Sequence, residues 1–247
     1  MINMIAEKKP KESGKSLKTI QGEVQLMNRL ALSVDCVIFG FEENTLKVLL
    51  IRSDMKKYMD RWTLLGDLVK PSEDLDQAAY RILKQRTGLD DVYLEQVKAF
   101  GNPKRHPAGR VVTIAYCSLI NIRHHKINIV ENELHWHDVA SVKDMAFDHQ
   151  SIFETCLDRL QKRVQEHPLG FSLLPKKFSL RDLQNLYEAI LGTKLDRRNF
   201  RKKFFSMDYL IDLQEIEENV PHRPGKLYRF DYEKYEKNKK KRSGIGF

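Results

Sequence analysis

The sequence predicts an α+β fold: helices packed on a mixed β-sheet, followed by a small basic domain of two helices and a hairpin. Three observations predict it. Over the first two thirds of the chain, β-rich apolar runs alternate with apolar residues at helical spacing. Residues 167–177, with two prolines and a glycine, interrupt that alternation and mark a domain boundary. Beyond them the charge changes, since residues 172–247 carry 18 Lys and Arg against 11 Asp and Glu, whereas residues 31–171 carry 19 against 20.

The elements follow in order. Residues 1–28 are polar, Lys-rich and aperiodic, and are expected to form a flexible arm. LSVDCVIFGF and LKVLLIRS, joined by EENT, predict a hairpin. After RWTLLGD, the spacing of Leu75, Ala79, Ile82 and Leu83 predicts a helix with Ser72 as N-cap, Glu73 and Asp74 in its first turn, and Gly88 as its stop. VYLEQVKAF, the loop GNPKRHPAGR, VVTIAYCSLINI and a short strand around LHWHDV come next. A helix over about 150–164 closes this body. In the last third, Leu180, Leu183, Leu186, Tyr187 and Ile190 form one apolar stripe ending at Gly192. A second helix opens at Asp196 and buries Phe200 and Phe204. Two strands then flank the tip VPHRPGK. Helix, turn, helix and hairpin is the order of a winged helix-turn-helix. YEKNKKKRSGIGF is expected to be a disordered basic tail. The expected division is therefore an arm (1–28), a sandwich domain (29–166), a winged helix-turn-helix domain (167–234) and a tail (235–247).

With 247 residues and 41% apolar content, the chain can bury real cores, which excludes disorder throughout. No apolar run approaches membrane-spanning length, and the N-terminal segment lacks the apolar centre of a secretory signal, so a soluble cytoplasmic protein is expected. Cys36, Cys117 and Cys156 lie far apart among apolar neighbours and read as reduced core residues. Most of the net charge of +9 falls after residue 171. A basic module on a neutral body implies a polyanionic partner such as nucleic acid. His135 and His137 alternate on a strand and so face the same way, with His124 and His125 nearby, but no cysteine pair accompanies them. Packing or surface histidines are therefore expected, with no metal and no cofactor.

The segment GDLVKPSEDLDQAAYRILKQRTGL resembles the Nudix box, GX5EX7REUXEEXGU, where U is a bulky aliphatic residue. Aligned on Gly88 and Leu89, the loop glutamate falls on Glu73 and the arginine on Arg81, the opening glycine falls on Asp67, and the three helix glutamates fall on Ile82, Gln85 and Arg86. In the intact box those glutamates gather Mg2+ ions that neutralise a diphosphate and activate water. Here they are an alkyl group, a neutral amide and a cation. The resemblance therefore implies a Nudix-like α/β/α sandwich with a disabled active site kept as a binding pocket, Glu73 and Arg81 persisting to hold the loop to the helix. Trp62, just before the box, is expected to be a packing residue.

GRVVTIAY, AFDH, GFSLLPKKFSLRDLQNLYEAILG and LDRRNFRKKF resemble motifs of Nudix-related transcriptional regulators, whose members govern NAD metabolism or pentose-sugar use. The resemblance implies a regulator, by analogy a repressor, that binds double-stranded operator DNA as a homodimer and responds to a small sugar or an ADP-ribose-like effector. On the second helix, Arg197 and Arg201 share a face, as do Arg198 and Lys202, so one side can enter a major groove while the phenylalanines anchor the other. Arginine can read guanine, Asn199 adenine, and Lys202 and Lys203 phosphate. Arg223, at the Pro-bounded hairpin tip, is a candidate for a minor groove, with Lys226 and Arg229 near the backbone and Gly225 permitting the turn. The effector candidates are Arg105, His106 and Arg110 in the loop NPKRHPAGR, with Glu73 and Arg81; Asp148 and His149 of AFDH are taken as structural. Loss of the metal glutamates leans toward a less charged ligand such as a sugar. Two alternatives stand beside this one: a hydrolase of nucleoside diphosphate derivatives with unusual metal ligands, and an RNA-associated module.

Overall fold

Strand β1 (Ala31–Glu42) is the centre of the first domain because it is apolar on both faces, with Val34, Cys36 and Ile38 on one side and Val37, Phe39 and Phe41 on the other. The computed structural model describes residues 30–125, 127, 134–166, 171–221 and 223–243. The expected arm, part of the expected boundary segment and the last four residues lie outside the described residues.

One edge of β1 pairs in parallel with β6 (Val111–Asn121) along its full length, from Ala31 opposite Val111 to Phe41 opposite Asn121. Its other edge is shared by two antiparallel partners, β2 (Thr45–Arg52) toward its end and β4 (Leu65–Leu68) toward its start. β3 (Trp62–Thr63) and β7 (Leu134–Asp138) pair with β2, and β5 (Glu95–Phe100) pairs with β6. The sheet is mixed, as the sequence predicts. β5 begins later than VYLEQVKAF suggests, because Val92 and Leu94 turn into the core before pairing starts.

Helix α1 (Leu75–Thr87) covers one face, setting Ala78, Ala79, Ile82 and Leu83 on Val34, Cys36, Ile38 and Leu49. Its N-cap is Asp74 rather than the expected Ser72. Asp74 Oδ1 accepts from Gln77 N (2.8 Å) while Gln77 Oε1 accepts from Asp74 N (2.9 Å), a reciprocal capping box. Glu73 is turned back to Lys70 N (2.7 Å), which keeps residues 71–73 out of the helix. Gly88, at φ 74°, ends it in the left-handed conformation that a side chain disfavours.

Helix α2 (His149–Glu166) covers the opposite face with Ile152, Phe153, Cys156, Leu160 and Val164. It extends two residues beyond the expected end, and Val164 is buried in the same core. The three cysteines are buried and free, and burial pushes the Cys36 thiol well above its ordinary range. Among the described residues, no helix is long and apolar enough to cross a membrane.

The α2 core continues into the second domain, where α3 (Leu180–Leu191) contributes Leu183, Leu186, Tyr187 and Ile190 and α4 (Arg197–Met207) contributes Phe200 and Phe204. Gln161 Nε2 of α2 donates to Ile190 O of α3 (3.1 Å) across the junction. Ser179 and Asp182 form the capping box of α3, and Asp196 caps α4 as expected. β8 (Phe178–Ser179), β9 (Leu210–Ile216) and β10 (Lys226–Phe230) form the small sheet in the order β8-β10-β9. β8 follows directly on the expected boundary segment and is not signalled in the sequence, since a two-residue strand leaves no period.

The tail departs from expectation. Residues Tyr232–Ser243 form α5. Asp231 Oδ1 accepts from Lys234 N (3.0 Å), and the Tyr235 ring packs on Tyr209 and Phe230 at 5.5 and 5.6 Å. A cap and an aromatic anchor therefore organise a segment that composition alone marks as disordered.

Candidate effector pocket and candidate nucleic-acid interface

A cavity of about 580 Å³ opens where β1, β3 and β4 meet the loop of residues 101–110 and the start of α2. Its floor is a buried polar network. The Arg105 guanidinium, only 3% exposed, donates to Asp148 through Nε (2.9 Å) and Nη2 (2.7 Å) and lies 3.5 Å from Asp35 Oδ2. Thr113 Oγ1 donates to the same Asp35 oxygen (2.7 Å). His149 Nδ1 accepts from Leu64 N (3.0 Å) and lies 2.6 Å from Thr63 Oγ1, which assigns the ring proton to Nε2, 3.6 Å from Asp35 Oδ1. Burial pushes the His149 pKa below its ordinary value and keeps the ring neutral. Gly66 crosses Asp35 so closely that a Cβ there would lie 2.1 Å from Oδ1.

Of the expected effector residues, Arg105 and His106 line this cavity. The His106 ring stacks on Phe147 at 5.2 Å, and Phe147 holds a left-handed backbone (φ 55°), an uncommon conformation for a bulky residue at the pocket wall. Arg110, Glu73 and Arg81 are not among the lining residues. Arg110 is exposed and donates to Gly101 O (2.6 Å), tying the ends of its own loop. Arg81 reaches Glu73 Oε1 (2.7 Å) and Oε2 (2.9 Å), Asp67 Oδ2 (3.0 Å), Gln85 Oε1 (3.2 Å) and Leu68 O (2.9 Å). The bonds from Arg81, with that from Lys70 N, lower the Glu73 pKa to about 2. The pair thus joins the loop to α1, the role the box resemblance implies.

Arg52, Arg86, Asp35, Gly66, Phe147 and His149 also line the cavity and were not singled out as effector contacts. Asp35 is the one with a readable signal, a lone acid inside LSVDCVIFGF. Trp62 carries the Arg52 guanidinium 3.9 Å above its ring, with His137 at 4.2 Å and His135 at 5.5 Å. The two histidines thus share a side, as their alternation predicts, and pack against a tryptophan. Among the described residues, no three of His, Cys, Asp and Glu are grouped as a metal site requires.

The second cavity, about 890 Å³, lies between α4, the start of α3 and the hairpin tip. Arg197, Arg198 and Arg201 converge there with Arg223 and Lys226. Arg181, which the sequence reading passed over, joins them from the first turn of α3. Asn199 and Lys202 are exposed on α4 but outside this groove. The hairpin is fixed by Glu217, whose N donates to Gly225 O (2.9 Å) and whose Oε2 accepts from Gly225 N (2.7 Å). A Cβ at Gly225 would sit 2.9 Å from Oε2, and the residue does not adopt a left-handed turn. Lys226 pairs with Asp212 (2.8 Å) across the strands, so part of its charge serves the hairpin itself. Six basic side chains around one concave face, held by a buried aromatic core, make a surface suited to a polyanion.

Residues 29–156 match the NUDIX domain, and residues 170–230 match the NrtR DNA-binding winged helix domain. The chain is 34% identical over 212 residues to the ADPR responsive transcriptional repressor NtrR of Acinetobacter baylyi, covering 84% of both proteins. It is similar to Shewanella oneidensis NrtR complexed with a 27mer DNA, with a TM-score of 0.66 and 28% identity over 81% of this chain and 93% of that one. The NUDIX domain of Shewanella oneidensis NrtR complexed with ADP ribose aligns with a TM-score of 0.51 and 26% identity, over 59% of this chain and 99% of that domain.

Proposed function

The chain belongs to the family of Nudix-domain proteins that carry an NrtR DNA-binding winged helix domain, and from that premise we propose that it is an ADP-ribose-responsive transcriptional repressor. Residues 29–166 sense the metabolite in the cytoplasm, and residues 167–234 bind operator DNA. The observation that carries this is the groove in which Arg197, Arg198 and Arg201 meet Arg223 and Lys226. In this reading α4 enters a major groove, the arginines meet base edges and phosphates, and Arg223 follows the adjacent minor groove. Asn199 and Lys202 serve at its margin. The protein acts as a homodimer on paired half-sites.

Of the two effectors the resemblance implies, ADP-ribose is favoured over the less charged sugar toward which the box substitutions lean. A relative 34% identical is named for its response to it, and the cavity wall carries Arg52 and Arg86, which suit a diphosphate better than a neutral sugar. A cavity of about 580 Å³ is within the size range of small-molecule sites. His106 and Phe147 offer stacked rings beside it, Arg105 shapes its floor, and Arg110, Glu73 and Arg81 set the loops around it. The domain binds and does not hydrolyse, because Ile82, Gln85 and Arg86 stand where the box has its metal-binding glutamates.

The test is binding of the purified protein to DNA from upstream of its own and neighbouring genes, with excess unrelated DNA and increasing ADP-ribose. Tight, sequence-selective binding weakened by ADP-ribose is expected. Weak, unselective binding, or steady release of AMP from ADP-ribose in Mg2+, overturns it.

A further inference from the structure

The family's metal ions need free carboxylate oxygens at the box helix, and this chain's residues do not fit them. Ile82 is buried in the core under α1, 1% exposed. The Gln85 carbonyl is taken by Arg81 Nη1 (3.2 Å). Glu73 Oε1 already accepts from Arg81 and from Lys70 N, and Oε2 from Arg81. Asp67 Oδ2 also accepts from Arg81 (3.0 Å). One guanidinium has thus drawn to itself the side-chain oxygens from which a cation shell would be assembled.

Beside Asp67, which Arg81 already pairs, that end of the pocket carries a second guanidinium. Arg86 lies in the last turn of α1, is exposed, and lines the main cavity as well as the adjoining hollow formed with Asp67, Ile82 and Gln85. A basic residue there also suits the negative end of the helix dipole. That role asks nothing of the pocket, whereas the position of Arg86 on two adjoining cavities does.

We propose that Arg86 receives the diphosphate of the ligand in place of the family's metal ions, so that the pocket takes ADP-ribose without a divalent cation. The inference rests on the ADP-ribose reading above. A guanidinium offers two parallel N–H donors to phosphate oxygens and a permanent charge, so it supplies neutralisation and orientation. Unlike a metal ion it does not activate water, and the same substitution that retains binding removes hydrolysis.

Isothermal titration of the full-length protein with ADP-ribose, in EDTA and in excess MgCl2, tests it. The unsubstituted protein should bind equally well in both. Arg86→Ala should bind about 10- to 100-fold more weakly in both, the range of a lost charge-assisted contact. Arg86→Lys should recover part of that loss, and Arg86→Glu should be weaker than alanine in EDTA. The unfolding temperature of each variant is measured alongside, so that weaker uptake by a protein that still unfolds cooperatively is read as a lost contact. ADP-ribose bound tightly by Arg86→Ala, or bound by the unsubstituted protein only with Mg2+, overturns this inference and leaves the ADP-ribose reading standing. No ADP-ribose uptake in either buffer overturns both.

Discussion

Replacing Arg105 by methionine separates two roles that the loop NPKRHPAGR gives this residue, ligand contact and structural strut. The geometry makes it a strut first. Its guanidinium is 3% exposed and spans Asp148 and Asp35, whose side chains are 26% and 6% exposed. Methionine fills similar space but leaves Asp35 with the Thr113 hydroxyl and a neutral His149. Removing one partner of a buried ion pair costs about 3–5 kcal/mol, and the partial exposure of Asp148 places the expectation at about 3 kcal/mol. For a chain of this size that corresponds to a fall in unfolding temperature of about 6–12 °C. The assay is thermal unfolding by circular dichroism without ligand. Arg110→Met is the control, since that exposed side chain only ties its own loop and should change stability by less than about 0.5 kcal/mol. An Arg105→Met protein as stable as the parent but unable to bind ADP-ribose would refute the strut and restore Arg105 as a simple ligand contact.

Three further outcomes are expected. Arg201→Glu should abolish selective operator binding without changing the unfolding temperature, and the parent's DNA affinity should fall steeply with salt as counterions compete for the phosphates; unchanged binding removes the α4 assignment. His149 is held below its ordinary value of 6.5 by burial, so the unfolded chain takes up the proton first and stability falls as pH drops below about 6.5. His106 and His137 act in the same direction. His149→Asn, which keeps an acceptor for Leu64 N, should flatten the profile measured by urea unfolding between pH 5 and 7. Tyr235→Ala should destabilise the winged helix domain by about 1–2 kcal/mol through lost ring packing on Phe230 and Tyr209, read by urea unfolding; no change would mean that α5 is not anchored there.

Much of the fold was legible because its signals are local. The near-continuous apolar run in LSVDCVIFGF marks a strand buried on both faces, Asp196 caps the helix it precedes, and Phe200 and Phe204 meet because they lie four apart on a helix. Local signals also misled. Ser72 is as good a capping residue as Asp74, and the cap falls to Asp74 because it closes a reciprocal box with Gln77 while Lys70 N and Arg81 hold Glu73 out of the helix. The basic tail is helical because Tyr235 finds Tyr209 and Phe230.

By itself, the sequence determined the order of elements, the basic character of the second domain and the loss of the box glutamates, since each depends on residues within a few positions of one another. Tertiary structure decided the sites. The pocket floor joins Asp35, Arg105, Asp148 and His149 from separate segments, and the groove joins Arg181 to Arg201 and Arg223. Whether an arginine serves as a strut, a loop tie or a ligand contact depends on which carboxylates the fold brings within reach. That proximity is a property of packing, which no local pattern of residues records.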